Sequence, residues 1–507
     1  MLKNIFSNWL GLVVLGLISV VLTPAMVHGL GPLYYGMWAL VGSLVDYSGM
    51  LDMGMRATLF RYVAFFRGAN QRDSLNQTFA TGMLIAAGTT IVTFLAFLGL
   101  GFILPSFFKF SGADKTTFSF VTILMGTSVS LAFPGQFLSA YLRGMERFDL
   151  YNVGMIVHGI VRAVTLLILL KLGYGVLALS ASTVGLAVLF LAVHFLMVKW
   201  ADPELQLSFK NLSWQRTKEM CNFGFYSFVN NSGETLRYYT DSFVIGRMLS
   251  VALVTPFSVA TRLTEYFKML VGGISGPIMV RLSGLSGQGN DEELKEEFLR
   301  STRFSMLLSV FVGGILLVDG RMLISLWMGP NLLTSYPILV ALTVAYIITW
   351  GQIPCPMLLF ARARHHRAIS WWTLGEGIAN LALSILWAPK LGLLGVALGT
   401  AVPLMVSKLV IQPYYVLKDV GLSVGVYFWR GLSRALMVAV IFLSISWYLV
   451  ENYASNASFL TFVFVCFWQT GFFLLLCMSF GLAKADRTTV RAAAKDFAMS
   501  LGVARRM

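Results

Sequence analysis

Apolar runs about as long as a membrane crossing follow one another from Ser7 to Leu482, with polar residues confined to short gaps between them. A helix needs about 20 apolar residues to cross the ~30 Å hydrocarbon core of a bilayer. The pattern predicts fourteen helical spans, near 7–29, 33–55, 79–104, 116–142, 152–171, 174–198, 220–247, 251–280, 304–327, 333–359, 369–388, 393–416, 432–451 and 457–482. Lipid offers the backbone no hydrogen-bond partners, so runs of this kind are read as helices, each satisfied within itself. The first run has no small-residue cleavage pattern behind it and is read as a helix, not a signal peptide. No gap is long enough for a soluble domain.

Composition agrees. Hydrophobic residues make up 57% of the 507 positions, charged residues 12%, and the mean hydropathy is +0.75. A soluble protein of this size carries about twice that charged fraction. The net charge of +15 is distributed in a way that explains it without nucleic acid. The side reached after even-numbered helices, counting residues near the span ends and the two ends of the chain, holds 27 lysines and arginines; the opposite side, counted the same way, holds 6. The positive-inside rule then places both termini in the cytoplasm. The acidic run Asp291, Glu292, Glu293, Glu296 and Glu297 reads as the solvated face of a cytoplasmic helix. In the tail, Val490, Ala494, Phe497 and Leu501 share one face among basic residues, which predicts an amphipathic helix on the inner leaflet. Cys221, Cys355, Cys466 and Cys477 lie in or near spans without CxxC spacing and are expected as small apolar residues.

A single offset of 219 residues relates the two halves. It carries Asp46-Tyr47 onto Glu265-Tyr266, Met50 onto Met269, Arg143 onto Arg362, and the KLG at 171–173 onto the KLG at 390–392. Helices 1–6 are therefore expected to repeat as helices 7–12, in the same orientation because six is even. Parallel repeats about an axis along the membrane normal are a transporter architecture, with the substrate path between the lobes. The expected division is an N-terminal lobe over 1–200, a cytoplasmic linker over 201–219, a C-terminal lobe over 220–418, two added helices over 432–482 and a basic tail over 483–507.

Charged residues within spans are costly and are the first candidates for function. Asn230, Glu234, Arg237 and Asp241 are spaced 4, 3 and 4 along helix 7, hence on one face. Helix 8 carries Arg262, Glu265 and Lys268 at intervals of three. Asp46 is the repeat partner of Glu265, whereas Asp52 falls on Val271 and is given less weight. Arg162 and His158 on helix 5, Glu376 on helix 11 and Lys408 on helix 12 are further polar residues at span depth. Arg237 with Glu234 or Asp241, and Arg262 with Glu265, are equally readable as self-neutralising intrahelical pairs. Tyr34, Tyr35 and Trp38 read as an interfacial aromatic belt. No metal-ligand spacing, P-loop or nucleophile elbow is present in the sequence. No cofactor and no enzymatic activity are expected, and transport would run on a gradient, on membrane potential or on mass action.

The stretch LGPLYYGMWALVGSLVDYSGMLDMGMRATLFRYVA, residues 30–64, resembles the helix 1–2 region of Wzx-type polysaccharide flippases. These belong to the multidrug/oligosaccharidyl-lipid/polysaccharide (MOP) exporter superfamily. The resemblance implies an all-α polytopic fold with two MATE-like parallel six-helix lobes, two further C-terminal helices and alternating access. It implies an inner-membrane flippase that moves a polyprenyl-pyrophosphate-linked oligosaccharide from the cytoplasmic to the outer leaflet, for cell-surface polysaccharide such as O-antigen. The partners implied are the lipid-linked glycan, the bilayer and other polysaccharide-assembly membrane proteins, and a monomer would suffice. On this reading Arg237, Arg262 and Lys268, with Arg56 and Arg61 at the inner mouth, are the cations for the anionic head group. Asp46, Glu265, Glu234 and Asp241 would be counter-ions or coupling sites for a proton or sodium ion. The mixed sign of this set keeps open a MATE-like multidrug cation exporter driven by proton or sodium antiport.

Overall fold

The computed structural model describes residues 2–52, 55–206, 232–362, 366–453, 458–483 and 486–487. Among them every long element is a helix, and eleven helical stretches are long and apolar enough to cross a membrane. The protein is a multi-pass, all-α membrane protein. Expected spans 3–6, 8, 9 and 12–14 each match one of the eleven stretches, whereas span 10 covers most of one, Pro330–Gly351, and runs on into a separate helix, Pro354–Ala361. Spans 1 and 2 share a single helical run, α1 (Leu2–Ser48). Span 11 is helical as α13 (His366–Leu391), although it is not among the eleven. Of span 7, residues 232–248 form a helix, α7; the remainder, linker residues 207–219, Cys221 and the amphipathic tail helix lie outside the described residues.

Spans 1 and 2 are separated by one residue. Gly31 sits at φ 75°, ψ 169°, a conformation open essentially to glycine alone, and Pro32 follows it. Two helices therefore meet without a loop. The next break corrects a loop expectation. After a 3-10 turn at Gly49–Asp52 the chain forms α2 (Met55–Gly68) where a basic loop was expected. Met55, Leu59, Val63 and Phe66 make its buried stripe, against α3 (Arg72–Phe107) and α4 (Gly112–Gly144). Arg61 and Arg67 point away from that stripe and are exposed.

The helices group into two compact units, 1–258 with 370–399, and 259–369 with 400–507. These divisions fall at places other than the lobe boundaries expected from the repeat. In the first unit α4 packs along α3 and along α6 (Val176–Ala201), while α1 packs on α5 (Phe148–Lys171). Where α6 ends, Asp202 accepts two hydrogen bonds from Arg72, at 2.8 and 2.7 Å, and one from the Tyr141 hydroxyl at 2.5 Å. This joins the ends of α3, α4 and α6. Burial alone would push the Asp202 carboxyl up, but Arg72 and Tyr141 outweigh it and hold the carboxyl below its ordinary range.

The second unit contains α8 (Val254–Gly272) from residue 259 onward, α9 (Ser275–Gly287), α10 (Asp291–Met328), α11 (Tyr336–Gly351) and α12 (Pro354–Ala361). After α13 and α14 (Leu393–Val406) of the chain come α15 (Gln412–Val420), α16 (Val424–Val426), α17 (Ser433–Tyr453) and α18 (Phe459–Leu476). A π-helical stretch, Ser407–Ile411, joins α14 to α15. The acidic run expected as a solvated face does open a helix, α10, and its members are engaged. Asn290 caps the Glu293 amide, Glu292 pairs with Lys295, Glu293 with Arg281, and Glu296 with Arg430. Asp291 and Asp419 converge on Arg362.

Asp202→Asn is expected to destabilise the protein by roughly 1–3 kcal/mol, the range for hydrogen bonds to a charged group. Because the carboxyl is held low in the folded state, this contribution is fully present at neutral pH and is lost as pH falls through the lowered value, below about pH 4. Thermal unfolding in detergent across pH checks this: the Asn variant should lack that acid-dependent loss.

Candidate functional site

Two polar sites lie within the first unit. The first is built by α7 and α13, which approach to backbone contact. A Cβ added at Gly233 would stand 2.6 Å from the Leu374 nitrogen, and one at Gly377 would stand 2.9 Å from the Gly233 oxygen. Small residues at such positions let membrane helices close up and bring polar side chains into reach. Arg237 consequently meets Glu376 at 2.5 Å, with both side chains almost wholly buried. Its guanidinium also lies 4.8 Å over the Tyr238 ring and 3.7 Å from the exposed Glu234. One helical turn further, Asn380 donates to the Arg237 carbonyl at 2.8 Å. The Ser384 hydroxyl lies 2.9 Å from the Asn380 amide oxygen, 3.3 Å from the Val396 carbonyl and 3.5 Å from the Asp241 carboxylate. From α1, Tyr47 meets Thr240 at 2.5 Å and Ser43 meets Ser242 at 3.0 Å. Of the helix-7 face expected from spacing, Arg237 and Asp241 thus lie in a buried seam, Glu234 is exposed and Asn230 lies outside the described residues; Glu376 is the principal partner of Arg237. The sequence displayed Glu376 as a lone acid at span depth. Its pairing needed the α7–α13 approach, for which Gly233 and Gly377 are the only local signal.

The second site is a cavity of about 490 Å³ among α1, α2, α4, α5 and α6. Arg56, Arg143, Arg162 and His158 line it, with Gln136, Tyr151 and Trp38; among the described residues no aspartate or glutamate lines it. Arg56 donates to Gln136. Arg143 is stacked 5.0 Å over the Tyr151 ring, and its Nε has no hydrogen-bond partner. Nδ1 of His158 is likewise without a hydrogen bond. Arg143 is at the α4–α5 turn, and Arg162 is about 21 Å along α5 from Phe148 by helical rise. Cations are therefore spread from one end of the spans toward their middle. Guanidinium groups in a partly enclosed site are suited to bidentate binding of phosphate oxygens.

Of the residues expected to bind an anionic head group, Arg56 lines this cavity, and Arg237 belongs to the α7–α13 seam. Arg61 is exposed on α2. Arg262 and Glu265 form an exposed intrahelical pair at 2.7 Å in the second unit, as the self-neutralising reading had it, and Lys268 is half-buried one turn on. Asp46 is exposed on α1. Arg143, which the sequence offered as a loop charge, and Arg162 are the cavity residues that spacing alone did not bring together. No group of three or more His, Cys, Asp and Glu suited to a metal ion occurs among the described residues.

The profile of the family described as "Polysaccharide biosynthesis protein" matches residues 71–337, more than half of the chain. The chain belongs to this family. It is 22% identical over 419 residues to a putative O-antigen transporter of Shigella flexneri, covering 82% of this chain and 97% of that one. The fold is that of two solved transporters. The lipid II flippase MurJ in an inward closed conformation superposes with a TM-score of 0.70 at 13% identity, over 93% of this chain and 99% of that one. An inward-facing multidrug resistance MATE family transporter of the MOP superfamily gives 0.70 at 14% identity, over 80% and 94%. The expected MATE-like fold class is thereby met.

Removing one partner of the Arg237–Glu376 pair leaves a buried charge, so Arg237→Ala and Glu376→Ala should each cost about 3–5 kcal/mol. Replacing both by methionine should cost much less than the sum of the two. A double-mutant cycle read by thermal unfolding checks the coupling.

Proposed function

We propose that the protein is a flippase for polyprenyl-diphosphate-linked oligosaccharide in polysaccharide biosynthesis, acting in the inner membrane by alternating access and without enzymatic chemistry. The observation that carries this reading is the cavity lined by Arg56, Arg143, Arg162 and His158, with no acid among its described lining residues. A diphosphate carries its charge into a low-dielectric slab only where fixed positive charge replaces its water. Three guanidinium groups supply that charge, and they would disfavour an organic cation. Membership of a polysaccharide biosynthesis family and the likeness to a putative O-antigen transporter support the same substrate class. The inner mouth is placed at the α4–α5 turn by the positive-inside reading, which also sets both termini in the cytoplasm. The head group would be met first by Arg56 and Arg143, then by Arg162 deeper in the span.

The α7–α13 seam has a different part in this reading. Arg237 is engaged by Glu376, so it is not a head-group ligand in this conformation. Asp241, beside the Ser384 hydroxyl and in the same seam as the Asn380 amide, is the carboxylate best furnished to accept a coupling cation, with Asp46 and Glu234 as exposed acids on neighbouring turns. Arg61, Arg262, Lys268 and Glu265 keep a place in the proposal as exposed or half-buried charges available to the substrate in another conformation.

Reconstitution into liposomes with a fluorescent polyprenyl-diphosphate sugar tests the reading, with a cationic dye as the parallel substrate. The wild type should expose the sugar lipid on the far leaflet and leave the dye in place. Arg143→Ala and Arg162→Ala should each lower the rate about ten- to a hundredfold, the equivalent of one charge-assisted hydrogen bond. Gradient-driven dye movement with no sugar-lipid transfer would show a cation exporter instead.

A further inference from the structure

We propose that Asp319 and Gln469 form a buried proton-binding site in the second unit, in which a neutral Asp319 carboxyl pairs face to face with the Gln469 amide and ties α18 to α10. Asp319 lies within the longest membrane-crossing helix of the unit and is 1% exposed; Gln469 on α18 is 0% exposed. Gln469 is the side chain set against Asp319. Neither carboxyl oxygen of Asp319, nor the oxygen or nitrogen of the Gln469 amide, makes a hydrogen bond of ordinary geometry. The Ser446 hydroxyl on α17, also 0% exposed, is a fifth polar atom in the same condition.

Helix register puts the three residues on the same side of an aromatic layer. Phe311, Phe442 and Phe473 pack ring against ring, at 4.9 to 6.4 Å between centroids. Gly314 also abuts Phe442, and Gly481 abuts Leu307 and Val438. Moving away from Gly481, just over two turns beyond Phe311 reach Asp319 on α10, and one turn beyond Phe442 and Phe473 reaches Ser446 on α17 and Gln469 on α18. Buried polar groups in a protein interior are almost always hydrogen-bonded, so two facing side chains whose four polar atoms lack ordinary hydrogen bonds mark a site whose occupant accounts for them.

The atoms identify that occupant. An ionised carboxylate could accept from the Gln469 NH2 and would leave a net charge buried with no opposite charge set against it. A sodium ion would have the carboxylate and one amide oxygen as its ligands, a thin shell for a cation that has shed its water. One proton on Asp319 satisfies the pair. The acid O–H donates to the amide oxygen, and the amide N–H donates to the acid carbonyl. The site is then neutral, which suits its depth. No charged group is set against Asp319: the titratable residues that feel its charge are Tyr336 on α11 and Cys466 on α18, with Arg321 on α10 and Glu451 on α17 acting on Tyr336 in turn. Arg321 and Glu451 are exposed, the Tyr336 hydroxyl donates to the Leu317 carbonyl at 2.7 Å, and Asp319 enters no ion pair among the described residues.

Infrared difference spectroscopy of the full chain in lipid nanodiscs at neutral pH tests the site. Wild type minus Asp319→Asn should show the loss of one protonated-carboxyl C=O band, with no matching loss of carboxylate bands. Gln469→Leu should keep that band and shift it to higher frequency, because its hydrogen bonds are gone. Both results should be the same with sodium and with a bulky organic cation in its place. Loss of carboxylate bands in Asp319→Asn, or a protonated band that appears only when sodium is withdrawn, would overturn the proposal. Should Asp319→Asn not fold, Gln469→Leu decides alone: a C=O region identical to that of the wild type would overturn the pairing.

Discussion

The cost of holding charge inside a hydrocarbon slab organises this protein. Each ionisable group at span depth has to be met by an opposite charge, by water or by a proton, because the lipid offers none of these. The three answers appear in three places. Arg237 is met by Glu376, through a close approach of two helices that glycines permit. Arg143 and Arg162 stand at a cavity, where an arginine can keep water or an anion beside it. Asp319 is set against an amide, where neutrality is the economical state. Each answer constrains its neighbours. The ion pair fixes the distance between α7 and α13, and the cavity requires that α2, α4, α5 and α6 leave room. The acid–amide pair fixes the level of α18 along α10.

Much of the fold was legible because membrane insertion imposes a simple code. Apolar run length gave the spans, and basic residues separated one set of gaps from the other. The fourteen expected spans meet helices wherever residues are described. What the code does not record is contact between helices. Met55, Leu59, Val63 and Phe66 are spaced as a helix stripe, yet they lie among arginines at a span end, and charge density there reads as loop. Arg143 looked like an inner-face charge by position, and only the packing of α4 against α5 and α6 turns it into the lining of a cavity. Glu376 carried no spacing signal at all, being the sole acid of its span. The helix-7 face was visible at intervals of 4, 3 and 4, but periodicity says which residues share a face and is silent on what the face touches.

Asp319 illustrates the same limit from the other side. In the sequence it lies eight residues inside the end of the expected span 304–327 and has no charged residue three or four positions away. Its near-complete burial could not be read from that run, because it depends on the helices packed on α10, among them α11, α17 and α18.

The two clusters at the helix ends have a consequence for how the chain folds. In the first unit a cation, Arg72, opens α3 and binds an acid beyond α6. In the second unit an acid, Asp291, opens α10, and Arg362 binds it together with Asp419. Position 72 falls on position 291 under the repeat offset, so the two halves present opposite signs at the same address. A nascent helix hairpin from one half that docked in the other's place would set Arg72 against Arg362. Arg72 and Asp291 are both partly exposed, so that like-charge contact would cost little in itself. What the reversed polarity does is make the two helix ends non-interchangeable, since each is completed by a partner of the opposite sign.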